Sequence, residues 1–98
     1  MRIRFTEASK IDLGDIYRYI AEDSIAAADK HRQALQKRWL ALIDQPLMGR
    51  KRDDIRLGYR SITEGNYIIL YRLVAEHELE IVRVVHAKRD LSKLSLPE

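Results

Sequence analysis

The chain has 98 residues, 46% hydrophobic and 34% charged, a balance that predicts one soluble domain spanning residues 1–98. It contains no cysteine, which excludes disulfide bonds, thiolate metal ligands and a cysteine nucleophile. The formal net charge is +3, and the basic excess lies in two short segments, residues 50–60 and 83–93, which weakly indicates an acidic partner.

The first half of the sequence predicts a strand followed by a helical hairpin. Residues 2–5 alternate between charged and apolar side chains, which is the period of a half-buried strand. Thr6 is a suitable N-cap for a first helix. The apolar side chains of this helix recur at helical spacing, at Leu13, Ile16, Tyr17, Ile20 and Ala21. Ser24 can cap a second helix, which we expect to end near Asp44 because Pro46 disfavours helical geometry in the residue before it.

The second half predicts a meander of three antiparallel strands after a charged loop at residues 50–54. Residues 55–63 alternate loosely, residues 67–74 are rich in β-branched and aromatic side chains, and residues 79–86 repeat that pattern. Short polar turns separate these strands. The order β-α-α-β-β-β predicts an α+β fold in which the helical hairpin packs on one face of an antiparallel sheet. We expect the other face to be partly open.

Several kinds of catalytic or cofactor site are not indicated. The histidines, at positions 31, 77 and 86, are too scattered for a metal site, and the glycines are isolated, so no phosphate-binding loop is formed. No serine lies in a nucleophile-elbow context. We therefore expect no metal and no cofactor. No apolar run approaches the roughly 20 residues that span a bilayer, and no signal peptide is recognisable, so we expect a cytoplasmic protein.

Cations and aromatic side chains on the predicted sheet remain as candidates for function. Arg60, Tyr71 and Arg83 fall on three different strands, and His86 and Arg89 follow where the last strand ends. Arginine in such a place can hold a phosphate or a carboxylate through two parallel hydrogen bonds. An arginine inside a strand is, however, more often an ion-pair partner or a rim residue.

The position of Arg83 is ambiguous from the sequence. It has the same strand parity as the apolar Leu79 and Ile81, so it lies either within an apolar face or at the edge of one. A buried arginine needs an acidic partner, and Glu80 has the opposite parity. Strand parity does not decide between these two positions.

Three segments of the sequence form a recognisable series. Residues 11–23 read IDLGDIYRYIAED, residues 46–71 read PLMGRKRDDIRLGYRSITEGNYIILY, and residues 81–90 read IVRVVHAKRD. In this order and spacing they resemble the opening helix, the P-x-x-G-R-x-R…G-x-R…Y-x-I-x-Y stretch and the closing I-x-R-V-x-H-x-x-R-D of toxins of the RelE/ParE superfamily, on the ParE side. The resemblance implies the toxin half of a type II toxin–antitoxin module, neutralised by a tightly bound antitoxin.

The superfamily contains two activities. RelE-like toxins are ribosome-dependent endoribonucleases, which need cations around the scissile phosphate and usually a tyrosine or histidine near the C-terminus. In this sequence Arg60 falls near one cationic position, Ile68 stands where those enzymes often carry arginine, and residues 91–98 contain no tyrosine. His86 could replace the missing acid or base.

ParE-like toxins resemble this chain in lacking that set, and the resemblance implies that they bind DNA gyrase and trap its cleaved-DNA intermediate. The resemblance therefore implies a non-enzymatic gyrase inhibitor that touches nucleic acid only indirectly, and we expect no membrane binding. A ribosome-dependent mRNA interferase is the alternative, and a non-toxic nucleic-acid-binding or regulatory module is a third possibility.

Two sets of residues are predicted to form the interaction surfaces. The positions expected to contact the target, or to shape the surface that does, are Arg60, Tyr71, Arg83, His86 and Arg89, and Arg83→Ala is expected to reduce toxicity without unfolding the protein. The antitoxin is expected to be ParD-like with an acidic tail, which suits a basic toxin. Side chains expected to be divided between sheet packing and an antitoxin groove are Leu13, Ile20, Leu35 and Leu42.

Overall fold

The computed structural model describes residues 1–97 and contains two long helices and a five-stranded sheet. The helices are α1 (Glu7–Ala21) and α2 (Ile25–Asp44). The strands are β1 (Arg2–Phe5), β2 (Arg50–Lys51), β3 (Tyr59–Glu64), β4 (Tyr67–Ala75) and β5 (Glu78–His86), and a 3₁₀ turn follows at Leu91–Lys93. The predicted order of elements is confirmed, with the short strand β2 added where a loop was expected.

The sheet has the order β1-β5-β4-β3-β2 and is mixed. Strands β2 to β5 pair antiparallel, as predicted, but β1 runs parallel to β5. The expectation of a purely antiparallel sheet was therefore wrong for this edge. Alternation of polar and apolar residues carries no information on strand direction, and β1 pairs with the last strand in the chain.

The helix ends follow the local chemistry of the sequence. Thr6 caps α1 by accepting a hydrogen bond from the Ser9 amide, and its hydroxyl donates to the Val82 carbonyl at 2.7 Å, so the cap also ties α1 to β5. Ser24 caps α2 in the same way. Helix α2 ends at Asp44, before Pro46, as predicted.

The helical hairpin covers one face of the sheet and forms the larger core. Leu35 and Leu42 of α2 are 2% and 0% exposed and pack with Ile69 and Ile81. Leu42 is therefore a core residue. Leu35 is buried as well, but it also lines a cleft between the two helices. The expected division of these leucines between sheet packing and an antitoxin groove stays a prediction.

The second face of the sheet is also covered. The C-terminal segment places Leu94 on a second apolar cluster that contains Tyr59, Leu70 and Val82, and Leu91 and Leu96 pack beside it. The expectation of a partly open face was wrong here, because three leucines within residues 91–96 cover that face of the sheet. Open surface is left at the sheet edges and between the helices.

Candidate functional site

Tyr71 and Arg60 hold the loop that precedes β2. The Tyr71 hydroxyl donates to the Pro46 carbonyl at 2.8 Å and accepts from the Gly49 amide at 2.9 Å. Arg60 Nη1 donates to the carbonyls of Leu47 and Gly49 at 3.0 and 2.9 Å. Burial raises the pKa of Tyr71 above its ordinary value. This phenol is 0% exposed, so it shapes the surface above it and cannot itself touch a target.

The structure resolves the position of Arg83. Leu70 on β4 pairs with Arg83, but the next residue, Tyr71, pairs with Ile81, so Val82 is left out of the pairing. This irregularity changes which face of the sheet the following side chains of β5 point to. Arg83 Nε and Nη2 donate to the two Asp12 carboxylate oxygens at 2.7 and 2.9 Å. Its hydrogen bonds to Asp12 raise the Arg83 pKa. Both residues are buried, at 8% and 9% exposure.

Asp12 is the structural residue that sequence reasoning missed. Its carboxylate also accepts a hydrogen bond from the Val84 amide at 3.0 Å. Val84 lies beyond Ile81, where the pairing of β5 with β1 ends. A signal was present in the sequence, since Asp12 precedes Ile16 by four residues and so lies on the apolar face of α1. A carboxylate on such a face indicates a buried cationic partner. Arg83 is thereby assigned to this buried pair, away from the surface.

His86 and Arg89 lie together at the end of β5. They line a cleft with Tyr19 and Tyr67. The His86 ring packs edge-on against the Tyr67 ring, with the ring centroids 5.3 Å apart. The Nδ1 atom of His86 accepts a hydrogen bond from the Lys88 amide at 3.1 Å. The structure therefore brings two of the five predicted target-binding residues to one surface. Tyr67 and Tyr71 are four residues apart on β4, so this surface lies roughly 13 Å from the Tyr71 loop contacts.

A cleft with a mainly apolar lining lies between α1 and α2. Its apolar lining includes Leu13, Ile16 and Trp39, and His31 and Arg32 add a polar side. Burial lowers the pKa of His31 below its ordinary value. Leu13 thus lies where an antitoxin groove was expected. Ile20 is partly buried further along α1 and does not line this cleft.

Across residues 1–97, no cluster of three or more histidine, aspartate or glutamate side chains could hold a metal ion. Neither of the helices has the length and hydropathy that a membrane crossing requires in that part of the chain.

The sequence comparisons match this chain to ParE toxins. The family model described as "ParE toxin of type II toxin-antitoxin system, parDE" matches residues 3–91. Toxin ParE1 of Mycobacterium tuberculosis is 32% identical over 66 residues, 67% of each chain. Toxin ParE1 of Caulobacter vibrioides is 30% identical over 84 residues, 85% of each chain.

Solved structures show the same fold. A chain from the chromosomal ParDE TA system of P. aeruginosa superimposes with a TM-score of 0.74 at 23% identity, covering 90% of this chain and 97% of that one. A chain of the toxin–antitoxin complex RelBE2 from Mycobacterium tuberculosis gives a TM-score of 0.55 at 29% identity, covering 87% and 95%. The structural relatives confirm the α+β architecture. On the family match over residues 3–91, the chain belongs to the ParE toxin family of type II toxin–antitoxin systems.

Proposed function

We propose that this protein is a toxin that inhibits DNA gyrase by docking on it, performs no phosphodiester cleavage of its own, and is neutralised by a cognate antitoxin. Membership of the ParE family supports the toxin assignment. The choice of mechanism rests on one observation. Three sheet residues that could take part in cleavage, Arg60, Tyr71 and Arg83, already make hydrogen bonds within the molecule. Cleavage needs a cation and an acid or base that are both free to meet a phosphate.

Two cations of the sheet and its buried tyrosine have internal partners. Arg83 is held by Asp12 through two hydrogen bonds, and Arg60 is held by two loop carbonyls. Tyr71 is buried, and its raised pKa keeps the phenol protonated, so it cannot act as a base near neutral pH. Ile68 on β4 is apolar and supplies no cation. No cleavage constellation assembles from them.

A RelE-like mRNA interferase is the second candidate. The 29% identity to a chain of a RelBE complex favours it, as does the half-buried His86 beside Arg89. His86 is engaged at Nδ1, which accepts from the Lys88 amide, so the neutral ring carries its proton on Nε2. In this arrangement Nε2 can donate a hydrogen bond to a target, while the lone pair of Nδ1 is already used by the Lys88 amide.

The proposal predicts that purified toxin inhibits gyrase supercoiling of plasmid DNA and increases cleaved plasmid. In ribosomes programmed with mRNA, it should produce no new RNA ends. His86→Ala separates the two mechanisms. Loss of one surface contact is expected to weaken gyrase inhibition less than about tenfold, whereas loss of a general acid or base lowers cleavage about 10²–10⁴-fold. Ribosome-dependent mRNA cleavage that His86→Ala abolishes would replace the proposal with the alternative.

The antitoxin is proposed to dock an amphipathic helix in the cleft between α1 and α2. Leu13, Ile16 and Trp39 supply apolar surface for such a helix. Arg32 is exposed and lies at the same cleft. An acidic antitoxin segment would therefore find both an apolar floor and a cationic side.

Arg32→Glu is expected to weaken binding of the cognate acidic antitoxin proposed above by about tenfold or more, measured by calorimetry. The physical reason is that a carboxylate would replace a cation at the cleft. Lys30→Glu is the matched control, since Lys30 is exposed on the same helix but does not line the cleft. Both variants change net charge equally, so equal losses of affinity would show that the antitoxin docks elsewhere.

A further inference from the structure

The β2 edge of the sheet carries a cleft that none of the roles proposed above uses. It has a volume of about 380 Å³. Its polar lining combines Arg38 of α2, Arg50 and Arg52 at β2, and Ser61 and Thr63 on β3. Strand β2 is the last strand of the sheet, so the cleft opens at an edge. A long ligand can therefore pass through it.

The charges of this cleft, which we name the β2 cleft, are only partly compensated. Arg52 forms an ion pair with Asp54, in which Nε and Nη2 each donate a hydrogen bond to a carboxylate oxygen at 3.1 Å. Arg38 donates to the Thr63 carbonyl at 3.0 Å, which carries no net charge. Within residues 1–97, neither Arg38 nor Arg50 has a carboxylate oxygen within 4.0 Å. Two of the three guanidinium charges therefore remain available to an anion.

The surroundings of Asp54 agree with a positive local potential. Its pKa is lowered first by the hydrogen bonds from Arg52, and the charge of Arg50 lowers it further. The carboxylate thus stays ionised at neutral pH and offsets a single cation. The register places Arg50 opposite Ser61, so cations and hydroxyl donors stand side by side across β2 and β3.

These donors fit one kind of ligand. A guanidinium group binds a phosphate through two parallel hydrogen bonds, and a serine or threonine hydroxyl can add a further donor. A row of phosphates along an open edge would meet several such donors in succession. We propose that the β2 cleft binds the phosphodiester backbone of a nucleic acid. If the proposed function holds, that nucleic acid is the DNA held by gyrase, contacted directly where the sequence predicted only indirect contact.

The test measures binding by fluorescence anisotropy, with the full chain, labelled 20-base-pair DNA and RNA of the same sequence, at several salt concentrations. We expect the affinity for DNA to fall as salt rises, because each phosphate contact releases counterions. Arg50→Glu should weaken binding about tenfold or more and reduce the slope of log affinity against log salt by about one. Arg50 is exposed, so the variant should fold.

Lys30→Glu is again the matched control, because it makes the same change of charge at an exposed residue that does not line the β2 cleft. Equal effects of the two variants would overturn the proposed site. Binding of polyglutamate that is stronger than binding of either nucleic acid would also overturn it, in favour of an acidic protein partner. A strong preference for RNA would uphold the phosphodiester site and overturn its assignment to gyrase-bound DNA.

The outcomes for this site and for the proposed function can be told apart, because the anisotropy experiment contains no gyrase. A chain that binds DNA through Arg50 but does not inhibit gyrase would contradict the proposed function alone. A chain that inhibits gyrase while Arg50→Glu binds DNA normally would contradict the site alone.

Discussion

Arg83→Ala is expected to lower the free energy of unfolding by about 3–5 kcal/mol, the range typical of a buried ion pair that loses one partner. The carboxylate of Asp12 would remain in the interior with only the Val84 amide as a donor. The bond from Arg83 Nη1 to the Ser95 carbonyl would also be lost, which loosens the C-terminal segment. Urea unfolding followed by the fluorescence of Trp39, the only tryptophan, measures the change.

Two further variants test whether the buried pair is the cause. Arg18→Ala removes an exposed pair with Asp15, so it should cost less than about 1 kcal/mol. The double variant Asp12→Leu with Arg83→Met replaces both charges by apolar side chains and should recover much of the loss. If Arg83→Ala unfolds at the same urea concentration as Arg18→Ala, the pair does not stabilise the fold as described.

The expected loss of stability changes the prediction, made from the sequence, that Arg83→Ala would reduce toxicity and leave the protein folded. Arg83 is 8% exposed and paired, so its loss should act first on stability. Any fall in toxicity would then follow the folded fraction of the protein. Toxicity measured beside the folded fraction separates these two effects.

Gly49→Ala is expected to destabilise the protein by about 1–3 kcal/mol or more, as overpacking of a rigid site does. A Cβ at this position would stand 2.4 Å from the Tyr71 hydroxyl and 2.6 Å from a ring carbon. Tyr71 is fully buried and cannot move aside freely. The substitution would also disturb the hydrogen bonds that hold Pro46 and Gly49, so the loop before β2 should loosen. Thermal and urea unfolding measure the loss.

Gly14→Ala is the matched control for this substitution. Its Cβ would meet only the tip of the flexible Arg18 side chain, at 3.4 Å, inside helix α1. Alanine is preferred over glycine in a helix by roughly 1 kcal/mol, so this variant should be as stable as the parent or more so. Comparable destabilisation by both variants would show that the contact with Tyr71 is not the reason.

The candidate site could be predicted only in part. The cations and aromatic residues of the three strands were recognised, but their roles depend on neighbours that are distant in sequence. Arg83 forms its ion pair with Asp12, which lies 71 positions earlier in the chain. The Tyr71 hydroxyl makes hydrogen bonds to Gly49 and Pro46, which lie 22 and 25 positions earlier. Of the predicted target-binding residues, only His86 and Arg89 share a surface cleft.

The sequence by itself determined the two helices, four of the five strands, their order, the helix caps and the family. These properties depend on local chemistry, such as the capping hydroxyls of Thr6 and Ser24 and the periodicity of apolar side chains. They also depend on motifs whose residues follow one another along the chain.

Only the tertiary structure decided the direction of β1, the covering of the second sheet face and the burial of Arg83 with Asp12. The irregularity at Val82 changes which way β5 side chains face, and strand parity cannot reveal where such a shift occurs. Pairing of charges across the whole chain depends on which strands become neighbours. Whether an arginine can be buried with an acidic partner therefore depends on the assembled sheet and helices.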